Sequence, residues 1–140
     1  MAFTQPKRHT QESISGHYRT GDSAATFGGE NVLPFHAFEG TTPNRPLIAF
    51  EIQDVPPSDW PENAQKPFEG VSDDPVKWAK YCQDELKAKA IALRLVGTHP
   101  DRENRSPEDA VKTVKDVLAA VKVPLIILGS NHAERIPRYW

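Results

Sequence analysis

The feature that most constrains this chain is an alternation of short apolar runs with longer stretches of helical period. The runs are Leu47–Ile52, Ala90–Val96 and Pro124–Leu128. Each is too short for a helix and is closed by Pro, Gly or Asp, which is the pattern of a buried strand. Between the first two, Asp74-Pro75 supplies an N-cap and a first helical residue with a preset backbone angle. Trp78, Ala79, Cys82 and Leu86 then recur at helical spacing as one apolar stripe. Between the second and third runs, Ser106 caps a helix with Pro107 at its first position. Glu108 and Asp109 place negative charge at the positive end of its dipole. Ala110, Val111, Val114, Val117, Leu118 and Val121 form its apolar stripe, with Lys112, Lys115 and Asp116 facing out. Strand, helix, strand, helix, strand predicts parallel strands joined by right-handed crossovers.

Upstream, Leu33–Asp54 leads into this unit through Pro34, Phe35 and Phe38 and a turn-rich joint, Gly40–Pro46. Before it, Thr26–Val32 places Gly28-Gly29 between β-compatible residues and predicts a small hairpin turning at the glycine pair. Residues 1–23 are polar and without period and read as a flexible tail. Residues 24–132 form the folded part, and 133–140 an atypical end with Pro137 and terminal aromatics. The longest connection, Asp54 to Asp74, holds four prolines with Trp60 and Phe68. Loops of this length are usually functional or disordered. The two aromatics indicate an ordered loop, and they either plug one end of the sheet core or contact a ligand or partner at the sheet's carboxyl end.

Within Ala90–Val96, Ile91, Leu93 and Leu95 share one face, and Ala90, Ala92 and Arg94 the other. Arg94 is unusual inside a strand. Either it neutralises Glu51 on the first strand, making a partly polar barrel interior, or both residues sit in water at strand ends. Cys82 lies on a helix stripe and reads as a buried structural thiol.

Composition removes several classes. A net charge of −2 with no basic run gives no electrostatic basis for binding nucleic acid. No apolar stretch approaches the roughly 20 residues of a membrane span, and the opening lacks a signal-type apolar region. The single cysteine cannot form an internal disulfide or a cluster needing about four thiolates from this chain. The expected compartment is the cytoplasm. No GxGxxG, phosphate loop, HExxH or paired-cysteine motif is present. His36, His99 and His132 each lie in turn-like settings, and none is placed against a nucleophile.

Sites in parallel α/β sheets gather at the carboxyl ends of the strands. Those ends carry Asp54, then Gly97-Thr98-His99, then Gly129-Ser130-Asn131. Asp54, Thr98 and Asn131 are short polar groups suited to hydrogen-bonding a ligand or to capping the strand ends. Three strands and two helices leave a sheet edge and apolar faces uncovered. A closed barrel of this type takes roughly 200 residues or more. The expectation is a truncated piece of a longer chain.

The strings GGEN, VLPF, HAFEG and NRPLIAFEIQD lead a set continued by DWP, DP, VKWA, SPEDAVKTVKDVL and VPLIILG. In this order and spacing they resemble the small subunit of the corrinoid iron–sulfur protein. In archaea the same family is the delta subunit of the acetyl-CoA decarbonylase/synthase complex. The resemblance runs from Thr26 to Asn131 and reaches the opening third or so of that family's barrel.

The resemblance implies an α/β fold, the N-terminal part of a TIM-type (β/α) barrel, that pairs with a large (gamma) subunit. It implies that the large subunit carries the iron–sulfur cluster and most of the corrinoid module, with no cluster on this chain. It further implies methyl shuttling on the corrinoid's cobalt between a methyl-pterin methyltransferase and acetyl-CoA synthase, with the small subunit serving assembly. A cobalt-ligating DxHxxG motif is absent, in keeping with that division. Asp54, Thr98 and Asn131 are candidate corrinoid contacts by their place at the barrel mouth. The alternative is a barrel methyltransferase that is an enzyme in its own right, with Asp54 and Asn131 gripping a pterin ring.

Overall fold

The computed structural model of the chain describes residues 15–20, 23–28 and 44–132. The expected lead-in through Pro34, Phe35 and Phe38, most of the Gly40–Pro46 joint and the end at 133–140 lie outside the described residues.

A hairpin lies upstream of the position expected; residues 29–32, which would form the second arm of the expected one, lie outside the described residues. β1 (Ser15–Thr20) pairs antiparallel with β2 (Ser23–Gly28), Ser15 opposite Gly28 and Thr20 opposite Ser23. The chain therefore reverses between Thr20 and Ser23, and Gly28 is the last residue of β2, not a turn residue. Residues expected in a flexible tail thus form a strand. The physical reason lies in the flanks. Gly21-Asp22 has β-compatible residues on both sides, whereas Gly28-Gly29 is followed by Glu30-Asn31.

β3 (Ala49–Gln53), β4 (Ala90–Arg94) and β5 (Leu125–Leu128) form a sheet in that order, both pairs parallel. Ile52 lies opposite Leu93, and Leu93 opposite Ile127. The crossovers are α2 (Pro75–Asp84) and α3 (Pro107–Ala120). A short α1 (Glu62–Gln65) and a 3-10 turn, Lys66–Phe68, lie in the long connection before α2. This parallel α/β arrangement is compatible with part of a β/α fold.

Both helix starts follow the expected capping chemistry. The Asp74 carboxylate accepts from the backbone N–H of Val76 at 2.8 Å and of Lys77 at 3.4 Å. The Ser106 hydroxyl accepts from Asp109 N at 3.1 Å. Each satisfies a donor that the helix itself leaves unpaired.

One face of the sheet packs against the helices. Ile52, Ile91, Leu93 and Leu95 from the strands meet Trp78, Ala79, Cys82, Ala110 and Val117 in a single buried core. Trp60 and Phe68 pack on Trp78, with ring centroids 5.7 and 5.5 Å away. They therefore plug the core, the first of the two roles open to them. Burial pushes the Cys82 thiol up to about 11, in keeping with an inert structural side chain.

Three stripe residues depart from expectation. Leu86 lies past the end of α2 and is exposed, and Val111 and Leu118 on α3 are 48% and 42% exposed. A helix seated over two strands buries only the part of its stripe that those strands reach. The flank of α3 that carries Val111 and Leu118 meets no further element among the described residues. No helix among the described residues is long and apolar enough to cross a membrane.

Candidate functional site

The opposite face of the sheet carries the strand residues the helices do not cover. There Arg94 and Glu51 form a two-pronged ion pair, Nε to Oε1 at 2.7 Å and Nη2 to Oε2 at 2.9 Å. The expected pairing forms, while both residues also reach water, with Arg94 at the end of β4. The hydrogen bonds from Arg94 hold the Glu51 carboxyl below its ordinary range, and Glu51 in turn raises the guanidinium. Both side chains remain partly exposed, at 29% and 42%, so water screens the pair.

At the carboxyl ends of the strands lies a cavity of about 430 Å³. The β3 end contributes Gln53, Val55, Pro56, Ser58 and Asp59. The β4 end contributes Arg94, Val96, His99, Asp101 and Arg102. The β5 end contributes Ser130 and Asn131. Its size falls within the range of small-ligand sites.

The sequence-predicted residues divide here. Asn131 lines the cavity, in a left-handed backbone conformation with φ 62 that Asn tolerates better than most residues. Asp54 and Thr98 sit behind it, 3% and 0% exposed. Asp54 Oδ1 accepts from Gly97 N–H at 2.9 Å, and the Thr98 hydroxyl donates to Leu95 O at 2.7 Å. Arg105 completes this latch: its Nη1 donates to Asp54 O at 3.1 Å, and its own backbone N–H donates to Gly97 O at 2.9 Å. Asp54 and Arg105 thereby fix both ends of the Gly97–Arg105 loop, which carries the cavity residues His99, Asp101 and Arg102.

The latch is tightly packed. A methyl at Gly97 would stand 2.9 Å from Asp54 Oδ2 and from Val55 Cγ1, and 3.0 Å from Arg105 Cδ. Asp54 Oδ2 is buried with no hydrogen-bond partner among the described residues. Desolvation raises the Asp54 carboxyl above its ordinary range, against the lowering by the Gly97 amide and Arg105.

Asp59 and Arg102 are cavity residues that sequence reasoning did not single out, and Ser130, named there with its strand end, joins them. Arg102 Nη2 donates to Asp59 Oδ2 at 3.0 Å, bridging the loops that follow β3 and β4. His99 Nδ1 accepts from Asp101 N at 3.1 Å. The His99 and His132 rings meet edge to face, with centroids 5.2 Å apart. No group of three or more His, Cys, Asp or Glu among the described residues is arranged to hold a metal.

A parallel α/β sheet with a polar cavity at its strand ends defines a ligand-facing β/α scaffold, and comparison with known proteins narrows this. Residues 15–134 match the family described as CO dehydrogenase/acetyl-CoA synthase delta subunit. The chain belongs to that family. The match begins at residue 15 and so takes in the hairpin, upstream of the Thr26 boundary of the resemblance.

Among relatives, the acetyl-CoA decarbonylase/synthase complex subunit delta of Methanocaldococcus jannaschii is 36% identical over 110 residues, covering 79% of this chain and 27% of the relative. The subunit delta of Archaeoglobus fulgidus is 35% identical over 118 residues, covering 84% and 26%. Subunit delta 1 of Methanosarcina thermophila is 33% identical over 110 residues, covering 79% and 25%. The chain thus spans about a quarter of the length of these relatives.

Proposed function

We propose that this chain acts as part of a delta subunit: the opening segment of a TIM-type (β/α) barrel, non-catalytic by itself, in a cytoplasmic acetyl-CoA decarbonylase/synthase complex. Its partner in this reading is the large (gamma) corrinoid iron–sulfur subunit. The acetyl-CoA synthase and methyltransferase components complete the assembly. The observation that carries the reading is the family match over residues 15–134.

The bound corrinoid would supply a cobalt that carries a methyl group. The residues here suit one wall of such a site. Asn131 and Ser130 face the cavity, and the Ser130 hydroxyl oxygen is buried with no partner among the described residues. Asp54 and Thr98 support that wall from behind. The pterin-gripping alternative is weaker, because the Asp54 carboxylate is turned to the Gly97 amide and does not line the cavity.

The test is co-expression of the full chain with a cysteine-rich large partner, followed by affinity capture and corrinoid absorbance. The expected result is capture of the partner, with corrinoid retained only when both are present. Failure to capture it, together with saturable binding of a methyl-pterin by the chain alone, would support the enzymatic alternative.

A further inference from the structure

The charges around the cavity are matched within the protein. Arg94 is held at two points by Glu51, and Arg102 is held by Asp59. Asp101 turns its carboxylate to water, with its side chain 91% exposed. The remaining polar wall residues, Gln53, Ser58, Ser130 and Asn131, carry amide or hydroxyl side chains. His99 engages Asp101 through its Nδ1, which accepts from the Asp101 backbone N–H at 3.1 Å.

An anion entering such a cavity gives up hydration and, among the described residues, meets arginines whose charge is already offset by Glu51 and Asp59, with the Asp101 carboxylate close by. Its attraction to either guanidinium is therefore offset by repulsion from the carboxylate beside it. A neutral group that both donates and accepts meets amides and hydroxyls able to do the same, and displaces nothing. Ser130 belongs to the same wall, and its buried hydroxyl oxygen has no partner among the described residues.

We infer that the cavity is a recognition site for a neutral carboxamide-type group, and that it discriminates against carboxylates and phosphates. This goes beyond the subunit reading and concerns the cavity's own chemistry, so partner capture succeeds or fails independently of it.

The experiment uses saturation-transfer NMR on the full chain at micromolar concentration. Benzamide, benzoate and phenyl phosphate serve as probes at equal excess and pH 7. They share one ring and differ only in the polar head, so differences report the head group. Benzamide is expected to give the strongest saturation, and the paired substitution Ser130→Ala with Asn131→Ala to reduce it by at least about half.

The charge argument is tested by Asp59→Asn, an exposed change that frees the Arg102 guanidinium. Benzoate saturation relative to benzamide is then expected to rise by roughly threefold or more, through a charge-assisted bond to the freed cation. Glu51→Gln, freeing Arg94, should act in the same direction. Equal or stronger saturation of benzoate or phenyl phosphate in the unaltered chain would overturn the inference. So would saturation of no probe, or a benzamide signal unmoved by the Ser130 and Asn131 changes.

Discussion

Asp54 offers the sharpest test of how this chain is put together, because its two plausible substitutions separate shape from charge. Its Oδ1 accepts from the buried Gly97 amide, while its Oδ2 is buried without a partner among the described residues. Asp54→Ala removes the acceptor and strands a buried N–H, which typically costs about 1–3 kcal/mol. Asp54→Asn keeps an oxygen for that N–H and removes a desolvated charge, so its cost at neutral pH should be under about 1 kcal/mol. The pH dependence follows from the raised carboxyl. Between the ordinary carboxylate range and the raised folded value, the native state holds the proton that the unfolded state has released. Stability from this group therefore falls as pH rises through that window, and levels off above it. Asp54→Asn should lack the fall and so compare best with the parent above the window. Urea unfolding, followed by tryptophan fluorescence at several pH values, reads this directly because Trp78 lies in the core. If Asp54→Asn proves as damaging as Asp54→Ala at pH 7, the ionised charge, acting through Arg105, is what holds the loop, and the reasoning here is wrong.

Other outcomes follow from the same geometry. Asp74→Ala should cost about 1 kcal/mol by removing the cap of α2, seen as a lower urea midpoint with an unchanged slope. Glu51→Gln should remove an acid-sensitive contribution of opposite sign to that of Asp54. The lowered Glu51 carboxyl stabilises the fold above its unfolded value, and this is lost as pH falls through the folded one, so the variant's stability should vary less with pH at the acid end. The chain alone should self-associate with rising concentration, detectable by sedimentation velocity, because Val111, Leu118 and Ile127 are each more than 40% exposed. Changing Val111 and Leu118 together to Lys should reduce that association; a monomeric parent chain would refute the expectation.

How much of this was legible in the sequence depends on the range of the forces involved. The strands and helices were readable because their signals are local: Asp74-Pro75 and Ser106-Pro107 cap as expected, and the apolar runs pair in parallel. The strand Ser15–Thr20 was not legible because its polar residues show no strand period, and only pairing with Ser23–Gly28 defines it. The candidate site was half legible. Strand-end position pointed to Asp54, Thr98 and Asn131, yet position does not say which way a side chain turns. Asp54 and Thr98 turn inward because Gly97 and Leu95 offer buried backbone partners, which no pattern in the sequence displays. Asp59 and Arg102 were invisible as a pair because 43 residues separate them and only the parallel topology brings their loops together.

The arrangement of polarity bears on what a chain of this family contributes to an assembly. At the strand ends, ion pairs close on themselves and a backbone latch holds the loop, so the mouth is built to keep one shape. On the flank of α3 and the end of β5, the reverse holds: Val111, Leu118 and Ile127 are apolar and open. Apolar area of that kind gains free energy only when covered. The two surfaces differ in kind, a polar rim whose charges are paired and an apolar flank left open, and substitutions on one should leave the other's structure intact. Double changes across the two surfaces should accordingly be additive in binding free energy, since the latch residues and the exposed α3 residues share no contact partner among the hydrogen bonds and ion pairs described.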